Sequence, residues 1–254
     1  MKVVLIGTGN VATVLGKLIK TAGHTIVEVV GRNARYAAQL AATLETNYNT
    51  DLKTIAQHAD IYIIAVADDT INDVADTLKL ADNIVVHTSG AVSMNVLEKA
   101  SKNYGILYPL QSLRKEAIKM PVVPLLVDAV NEATLLTIQS FAASISPKVS
   151  VADDAQRLKL HVAAVFSANF SNHLYTLTEA FCQKENVRFE MLIPLIQEVA
   201  LRLDDFSAKD VQTGPAVRND TDTIKKHLQL LNDHPGIKKI YESFTESILN
   251  FYNK

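Results

Sequence analysis

The sequence KVVLIGTGNVA spans Lys2–Ala12 and joins an apolar run to a glycine-rich turn. Its first part, Lys2–Ile6, is continuous and β-rich, and apolar residues then recur at helical spacing across Val11–Ile19. The turn between them matches G-x-G-x-x-G/A, in which a strand leads into a helix whose N-terminus binds the pyrophosphate of a dinucleotide. This stretch therefore predicts the first strand and helix of a dinucleotide-binding domain.

The small residues of the turn explain this chemistry. Gly7 permits the tight turn, Gly9 has no Cβ to hold a phosphate away, and Ala12 keeps the helix close to the strand. The alternative is a glycine turn in a fold that has lost its nucleotide. The residues that we expect to bind the pyrophosphate are Gly7, Thr8, Gly9, Asn10 and Val11.

The end of the second predicted strand bears on the choice between NAD and NADP. An NAD-binding chain carries a carboxylate there for the ribose hydroxyls. This chain instead reads Gly31-Arg32-Asn33, and Glu28 lies inside the strand, too early for that role. A guanidinium pairs well with a 2′-phosphate, so we predict NADP, with Arg32 and Asn33 holding the phosphate. Alternatively, Arg32 and Arg35 are solvated charges at a helix start.

The first part of the chain alternates strand and helix patterns. The strands read apolar on both faces, which is typical of a mostly parallel sheet covered by helices on both sides. The predicted strands are Lys2–Ile6, Thr25–Val30, a weaker Asn47–Tyr48, Ile61–Val66, Ile84–His87, Ile106–Tyr108 and Val122–Val127. Ala34–Leu44 is Ala-rich and is predicted to be helical.

Small residues at the carboxyl ends of parallel strands line the ligand crevice of such a sheet. Val66 and Ala67 end the fourth predicted strand, and we expect them to contact the cofactor. Ser89 and Gly90, in the stretch HTSG of residues 87–90, follow the next strand and are predicted to contact the substrate.

After about Val151 the strand patterns end. Asp153–Cys182 contains no Gly or Pro and keeps a helical period, and three later stretches also read as helices: Met191–Leu203, Thr223–Leu231 and Ile237–Phe251. We therefore predict an α/β Rossmann domain over residues 1–152, with a doubly wound, mostly parallel sheet. A smaller all-helical domain for substrate binding and dimerisation follows over residues 153–254.

A polar stripe lies on the long predicted helix. The stretch Leu158–His173 is mostly small and apolar, so we expect it to be buried, yet His161, Asn169 and Asn172 lie near one face. Buried polar side chains need partners, which a ligand can supply, and histidine suits proton transfer near neutral pH. We expect His161 to donate a proton and Asn169 to orient the substrate. Alternatively, these polar residues tie helices together at an interface.

The loop QTGPAVRND, residues 212–220, is a further candidate site. Its Gly-Pro pair interrupts helix on both sides, Thr213 offers a hydroxyl, and Arg218 offers a cationic fork for a carboxylate or phosphate. We predict that Thr213, Gly214 and Arg218 bind the substrate. The alternative is an interhelical turn in which Arg218 pairs with an acid such as Asp220.

Composition argues against several classes of partner. In 254 residues, 25 Lys and Arg face 27 Asp and Glu, so no basic field exists for a nucleic acid. No stretch approaches the roughly 18 apolar residues of a membrane helix. The single cysteine, Cys182, suits a reducing compartment, and the histidines show no metal-ligand spacing. We expect a cytoplasmic protein that binds no metal.

These motifs resemble known families at two levels. GTGNVA at residues 7–12, GRN at 31–33 and AVADD at 65–69 resemble the NADP-binding domains of pyrroline-5-carboxylate reductase, the deazaflavin-dependent NADP reductase and the 6-phosphogluconate dehydrogenase-like enzymes. HTSGA, YPLQS, ANFSNHLY and TGPAVRND together resemble a bacterial family that joins a Rossmann-like domain to a helical C-terminal domain of unknown function. This second resemblance covers nearly the whole chain.

The resemblance implies an NADP-dependent oxidoreductase that forms a homodimer through its C-terminal helices. Hydride would pass to or from a C=O or C=N carbon of a small polar, anionic substrate at a cleft between the domains. The β-hydroxyacid dehydrogenases place an Asn one turn after a helix Lys, whereas Lys159 here precedes Ala163. His161 is the predicted substitute. The alternative function is a sensor or interaction protein that binds NADP without turning it over.

Overall fold

The computed structural model describes residues 1–117 and 120–252. Its internal contacts divide the chain into two units, residues 1–169 and the residues from Phe170 onwards. The domain boundary predicted between residues 152 and 153 stays a prediction about which part of the chain folds independently.

Eight strands form one sheet in the first unit: β1 (Lys2–Ile6), β2 (Thr25–Val30), β3 (Asn47–Asn49), β4 (Ile61–Ile64), β5 (Ile84–His87), β6 (Tyr104–Pro109), β7 (Leu125–Ala129) and β8 (Val149–Val151). Their order is β3-β2-β1-β4-β5-β6-β7-β8, and the first six are the doubly wound arrangement. All neighbours pair in parallel except β6 and β7. The predicted fold class is confirmed.

The helices of the described residues are α1 (Asn10–Thr21), α2 (Ala34–Leu44), α3 (Ile71–Thr77), α4 (Glu132–Ile145), α5 (Asp154–Ala164), α6 (Ser171–Lys184), α7 (Ile193–Leu201), α8 (Thr221–Leu230) and α9 (Pro235–Tyr252). A π-helical segment, Val165–Phe170, connects α5 to α6. Within the described residues, the second unit contains helices and no strand. None of these helices has the length and apolar character that crossing a bilayer requires.

Two apolar layers cover the sheet. Val3 and Leu5 of β1 pack in one core with residues of α1, α2 and α4. Val4 and Ile6, which alternate with them, pack in a second core with residues of α3. Burial of one such side chain contributes about 1.5–3 kcal/mol. Because both faces of β1 are covered from Val3 to Ile6, the strand is apolar at each of these four positions, and only Lys2 at its start is exposed.

Several strands differ from the sequence prediction in their bounds: β3 extends to Asn49 rather than Tyr48, β4 ends at Ile64 rather than Val66, and β6 spans Tyr104–Pro109 rather than Ile106–Tyr108. β7 begins at Leu125 rather than Val122, because Pro124 has no N–H to give to the ladder. The short strand β8 was not predicted, since a stretch of three residues carries too little periodicity to be recognised.

Candidate functional site

A cavity of about 770 Å³ lies at the carboxyl ends of β1, β2 and β4. The strand order reverses there, which is where doubly wound sheets bind ligands, and the volume is typical of a cofactor site. The cavity is lined by every residue that the sequence predicted to bind the cofactor: Gly7, Thr8, Gly9, Asn10, Val11, Arg32, Asn33, Val66 and Ala67.

Gly7 and Gly9 of the turn are glycines for different structural reasons. Gly7 has φ +125°, and a Cβ there would lie 2.1 Å from the carbonyl oxygen of Ala65, so this position admits only glycine. Gly9 is the N-cap of α1 with φ −82°, which any residue can adopt. A Cβ on Gly9 would meet no protein atom within 4 Å. The space in front of Gly9 is therefore open, as a closely approaching phosphate requires.

The N-terminus of α1 adjoins this space and is electrostatically suited to an anion. No side chain caps the helix, and its first turn contains no acidic residue. The N–H groups of the first turn therefore lack intrahelical partners, and the positive end of the helix dipole is uncompensated. Together with the open space at Gly9, this geometry fits the pyrophosphate of a dinucleotide.

The end of β2 carries a cation and no competing acid. Arg32 is exposed, and among the described residues no carboxylate pairs with it. The Glu28 carboxylate instead accepts a hydrogen bond from the Ala56 N–H at 3.0 Å and does not line the cavity. Asn33 caps α2 by accepting from the Tyr36 N–H at 3.2 Å, which leaves its amide N–H groups for a ligand.

Part of the cavity wall was not predicted from the sequence. Tyr36 and residues 50–53 also line the cavity. Residues 50–53 follow β3, which pairs in parallel with β2 and so ends at the same edge of the sheet. The rule that ligands bind at strand ends would have included them, but the β3 pattern was too weak for its end to be used.

The loop after β5 is built around a buried histidine. Burial lowers the pKa of His87 to about 4, so the ring is neutral near neutral pH. Its Nδ1 accepts from the Ser89 N–H at 3.2 Å, and its Nε2 donates to the Ser93 carbonyl at 3.3 Å, a tautomer that we assign from these partners. The Ser89 hydroxyl oxygen accepts from the N–H groups of Ala91 and Val92. These bonds shape the loop.

The start of α5 is anchored to the same loop by a buried arginine. Arg157 is 1% exposed and donates to the Val92 carbonyl at 2.5 Å and to the Asp154 carboxylate at 2.8 Å. Burial would raise the pKa of Asp154, but hydrogen bonds from Ser93 and Arg157 bring it below its usual value. Arg157 Nε and Nη1 have no partner in the described part of the chain. This anchor fixes where the next turn of α5 lies.

That turn brings His161 against Tyr108 of β6. The Tyr108 hydroxyl lies 2.9 Å from Nδ1 of His161, and the two rings meet edge-on with centroids 6.0 Å apart. A Cβ on Gly90 would lie 2.7 Å from the same Nδ1, so glycine is needed there to admit the pair. The sequence singled out His161 and Gly90 separately. The pairing with Tyr108 was missed because 53 residues separate the two side chains.

Asn169 lies in the π-helical segment and is exposed. In a regular α-helix it would be rotated about 80° from His161. The wider turns of a π-helix reduce that rotation, and such segments are frequent at functional sites. The predicted burial of this stretch is wrong for the single chain, since Val162 and Phe166 are 50% and 64% exposed. Apolar spacing identifies the apolar side of a helix, but it does not show whether that side is buried within the chain.

The loop at residues 212–220 lines a separate cavity within the second unit. Thr213 and Gly214 contribute to its wall with mostly apolar residues of α6 and α9, and its volume is about 250 Å³. Arg218 is exposed and is not part of this wall. Asp220 caps α8, and hydrogen bonds from Thr223 lower its pKa more than the charge of Arg218 does. Substrate binding by Thr213, Gly214 and Arg218 stays a prediction.

Comparisons with known proteins match the chain to two domain families. The family described as NADP oxidoreductase coenzyme F420-dependent matches residues 2–90, and the domain of unknown function DUF2520 matches residues 123–248. Among solved structures, BF3122 from Bacteroides fragilis, a proposed NADP oxidoreductase, is 34% identical, covers 98% of each chain and has a TM-score of 0.88. The chain belongs to this family of two-domain NADP oxidoreductases. The resemblance inferred from the motifs is confirmed, and with it an enzyme whose cofactor is NADP.

More distant structures share the fold of this family. An imine reductase from Myxococcus stipitatus in complex with NADP⁺ is 15% identical over 100% of each chain, with a TM-score of 0.68. A 1-pyrroline-5-carboxylate reductase from Streptococcus pyogenes is 14% identical, covers 99% of this chain and 98% of its own, and has a TM-score of 0.65. Comparison with curated proteins gives no significant match.

Proposed function

We propose that this enzyme transfers a hydride between NADPH and a C=O or C=N carbon of a small polar, anionic substrate. The observation that supports this proposal most is that the turn at residues 7–11, Arg32 and Ala67 all line one cavity. When bound, the nicotinamide cofactor supplies the hydride chemistry, and the protein orients it and provides the proton. The placement of the substrate at a cleft between the domains stays a prediction.

Cofactor binding is assigned to three structural features. The uncapped N-terminus of α1 donates its free N–H groups to the pyrophosphate, which approaches across Gly9. Arg32, assisted by the amide of Asn33, pairs with the 2′-phosphate through charge-assisted hydrogen bonds. Val66 and Ala67, which follow β4, form another part of the cavity wall.

Proton transfer is assigned to His161. Its ring is half-buried and anchored at Nδ1, which leaves Nε2 available to a substrate. We assign Asn169 to orienting the substrate, Ser89 and Gly90 to the substrate side of the loop after β5, and Arg218 to an anionic group of the substrate.

We further propose a homodimer formed through the C-terminal helices. α7 reads IPLIQEVAL, and its Leu195, Val199 and Leu201 are each more than half exposed in the single chain. A helix that is apolar on most sides needs a partner on each of them. A second copy of the same chain can supply that partner without any other protein, and closed dimers are the commonest oligomers of soluble proteins.

The activity is tested by following NADPH absorbance with purified protein and a panel of keto acids and cyclic imines. We expect oxidation of NADPH with at least one anionic member, and a rate about 100-fold lower in His161→Gln with NADPH affinity preserved. Tight NADPH binding without oxidation across the panel would instead favour the sensor function.

A further inference from the structure

We infer that Tyr108 is a positioning residue for the proton transfer: its phenol holds Nδ1 of His161, so that Nε2 is the nitrogen that carries the transferable proton. This inference rests on the proposed role of His161. It gives a role to Tyr108, the first residue of the YPLQS motif, to which neither the motif nor the family comparisons assign a function.

The geometry of the pair is constrained from three sides. Tyr108 is 8% exposed and packs in an apolar cluster with Ile106, Leu126 and Ala152, so its ring cannot swing away. The backbone of Gly90 lies against both rings, since a Cβ there would be 2.7 Å from His161 Nδ1 and 2.9 Å from Tyr108 Cζ.

The third constraint acts on the imidazole from its own helix. Arg157, one turn earlier on α5, anchors the helix to the loop after β5 through the Val92 carbonyl. The 2.9 Å contact between the Tyr108 hydroxyl and the His161 Nδ1 is therefore imposed by the fold. Neither side chain is free to adopt another position in the absence of the other.

The phenol keeps its proton across the neutral range. Burial raises the pKa of Tyr108, and the negative charge of Asp68 raises it further, while Arg157 opposes this to a smaller extent. A protonated phenol donates to Nδ1 of a neutral imidazole, which places the ring proton on Nε2. When the imidazole is protonated, Nδ1–H donates to the phenol oxygen instead. In both of these states, before any transfer to the substrate, Nε2 bears a proton and points away from Tyr108.

The proton step then balances without another protein group. The imidazolium gives its Nε2 proton to the substrate oxygen or nitrogen as the neighbouring carbon receives the hydride. The transfer leaves the ring neutral and transiently protonated on Nδ1, which is not the neutral tautomer that the Tyr108 hydroxyl stabilises at rest. Water restores the proton on Nε2 before the next turnover. Tyr108 thus fixes which nitrogen acts, without itself touching the reacting atoms.

The tautomer of His161 tests this directly and requires no turnover. Protein labelled with ¹⁵N-histidine is examined by NMR above pH about 7.5, where imidazole is largely neutral, and the His161 signals are assigned by their loss in His161→Gln. We expect a protonated Nε2 and an unprotonated Nδ1 in the wild type, and a mixture of tautomers in Tyr108→Phe. Tyr104→Phe, which removes a phenol from the other end of β6, should leave the His161 signals unchanged.

A wild-type ring protonated on Nδ1 would overturn the inference, even if Tyr108→Phe did not fold. Unchanged signals in a folded Tyr108→Phe would also overturn it. In turnover, we expect Tyr108→Phe to lower kcat about 10- to 100-fold with NADPH affinity unchanged, and to add nothing to His161→Gln. An enzyme without measurable turnover but with the expected tautomer would contradict the proposed function, while still showing that Tyr108 fixes the tautomer of His161.

Discussion

At the residue scale, Gly7 is needed for the fold of the turn, whereas Gly9 leaves space for the cofactor. Both belong to one motif, yet a Cβ on Gly7 collides with the Ala65 carbonyl, whereas a Cβ on Gly9 enters only the cavity. The motif predicts this difference, since it assigns Gly7 to the tight turn and Gly9 to the approach of the phosphate, and the packing around the two glycines agrees with it.

Gly9→Ala should therefore fold normally and lose cofactor. We expect a melting temperature within about 2 °C of the wild type, because neither its φ nor its packing opposes a Cβ. NADPH affinity should fall at least about 10-fold, since a methyl group occupies the path of the pyrophosphate. Thermal melts and NADPH titration measure both. Gly236→Ala in α9, where a Cβ is also unopposed, is the control and should change neither.

His87 makes stability depend on pH. Its pKa is about 4 in the folded chain against an ordinary value of 6.5. The unfolded chain therefore binds a proton between these values that the folded chain does not. Stability is full above pH about 6.5 and falls as pH decreases towards about 4, by up to about 3 kcal/mol from this residue.

Urea denaturation at several pH values measures this effect. We expect the slope of unfolding free energy against pH between about 4 and 6.5 to flatten in His87→Gln, which cannot titrate. His58→Gln removes an exposed histidine and should retain the wild-type slope. Equal slopes in wild type and His87→Gln would show that His87 is not held neutral by burial.

At the scale of elements, sequence patterns predicted those strands and helices whose residues are contiguous in the chain. β1, the turn and α1 were correct because strand period, glycines and helix period are contiguous in residues 2–21. The π-helical segment was not predicted, since the apolar periodicity of its residues is that of an ordinary α-helix. The contact of Tyr108 with His161 depends on how β6 and α5 are placed, which no single stretch of sequence encodes.

The placement of α5 depends on Arg157, which gives a prediction for this element. Arg157→Met leaves the Val92 carbonyl without its buried donor, so we expect a loss of about 2 kcal/mol in unfolding free energy. Arg188→Met removes an exposed arginine whose pair with Glu190 spans 3.9 Å and should cost less than about 0.5 kcal/mol. Denaturant unfolding that shows equal losses would contradict the anchoring role of Arg157.

At the scale of the whole molecule, the exposed apolar helices predict association. Val199→Glu places a charge on an exposed apolar position of α7, where it disrupts an interface without disturbing a core. We expect a dimer for the wild type and a monomer with preserved helical content for the variant, as measured by analytical ultracentrifugation and circular dichroism. A wild-type monomer at micromolar concentration would contradict the proposed dimer.

The central claim is that the turn after β1 binds a pyrophosphate while Arg32 selects the phosphorylated coenzyme. Titration of the purified protein with NADPH and with NADH tests it most directly, alongside Arg32→Ala and the control Arg35→Ala, an exposed arginine outside the cavity wall. We predict that NADPH binds about 10- to 100-fold more tightly than NADH, and that only Arg32→Ala removes this preference. Equal affinities in the wild type, or binding of neither coenzyme, would contradict the claim.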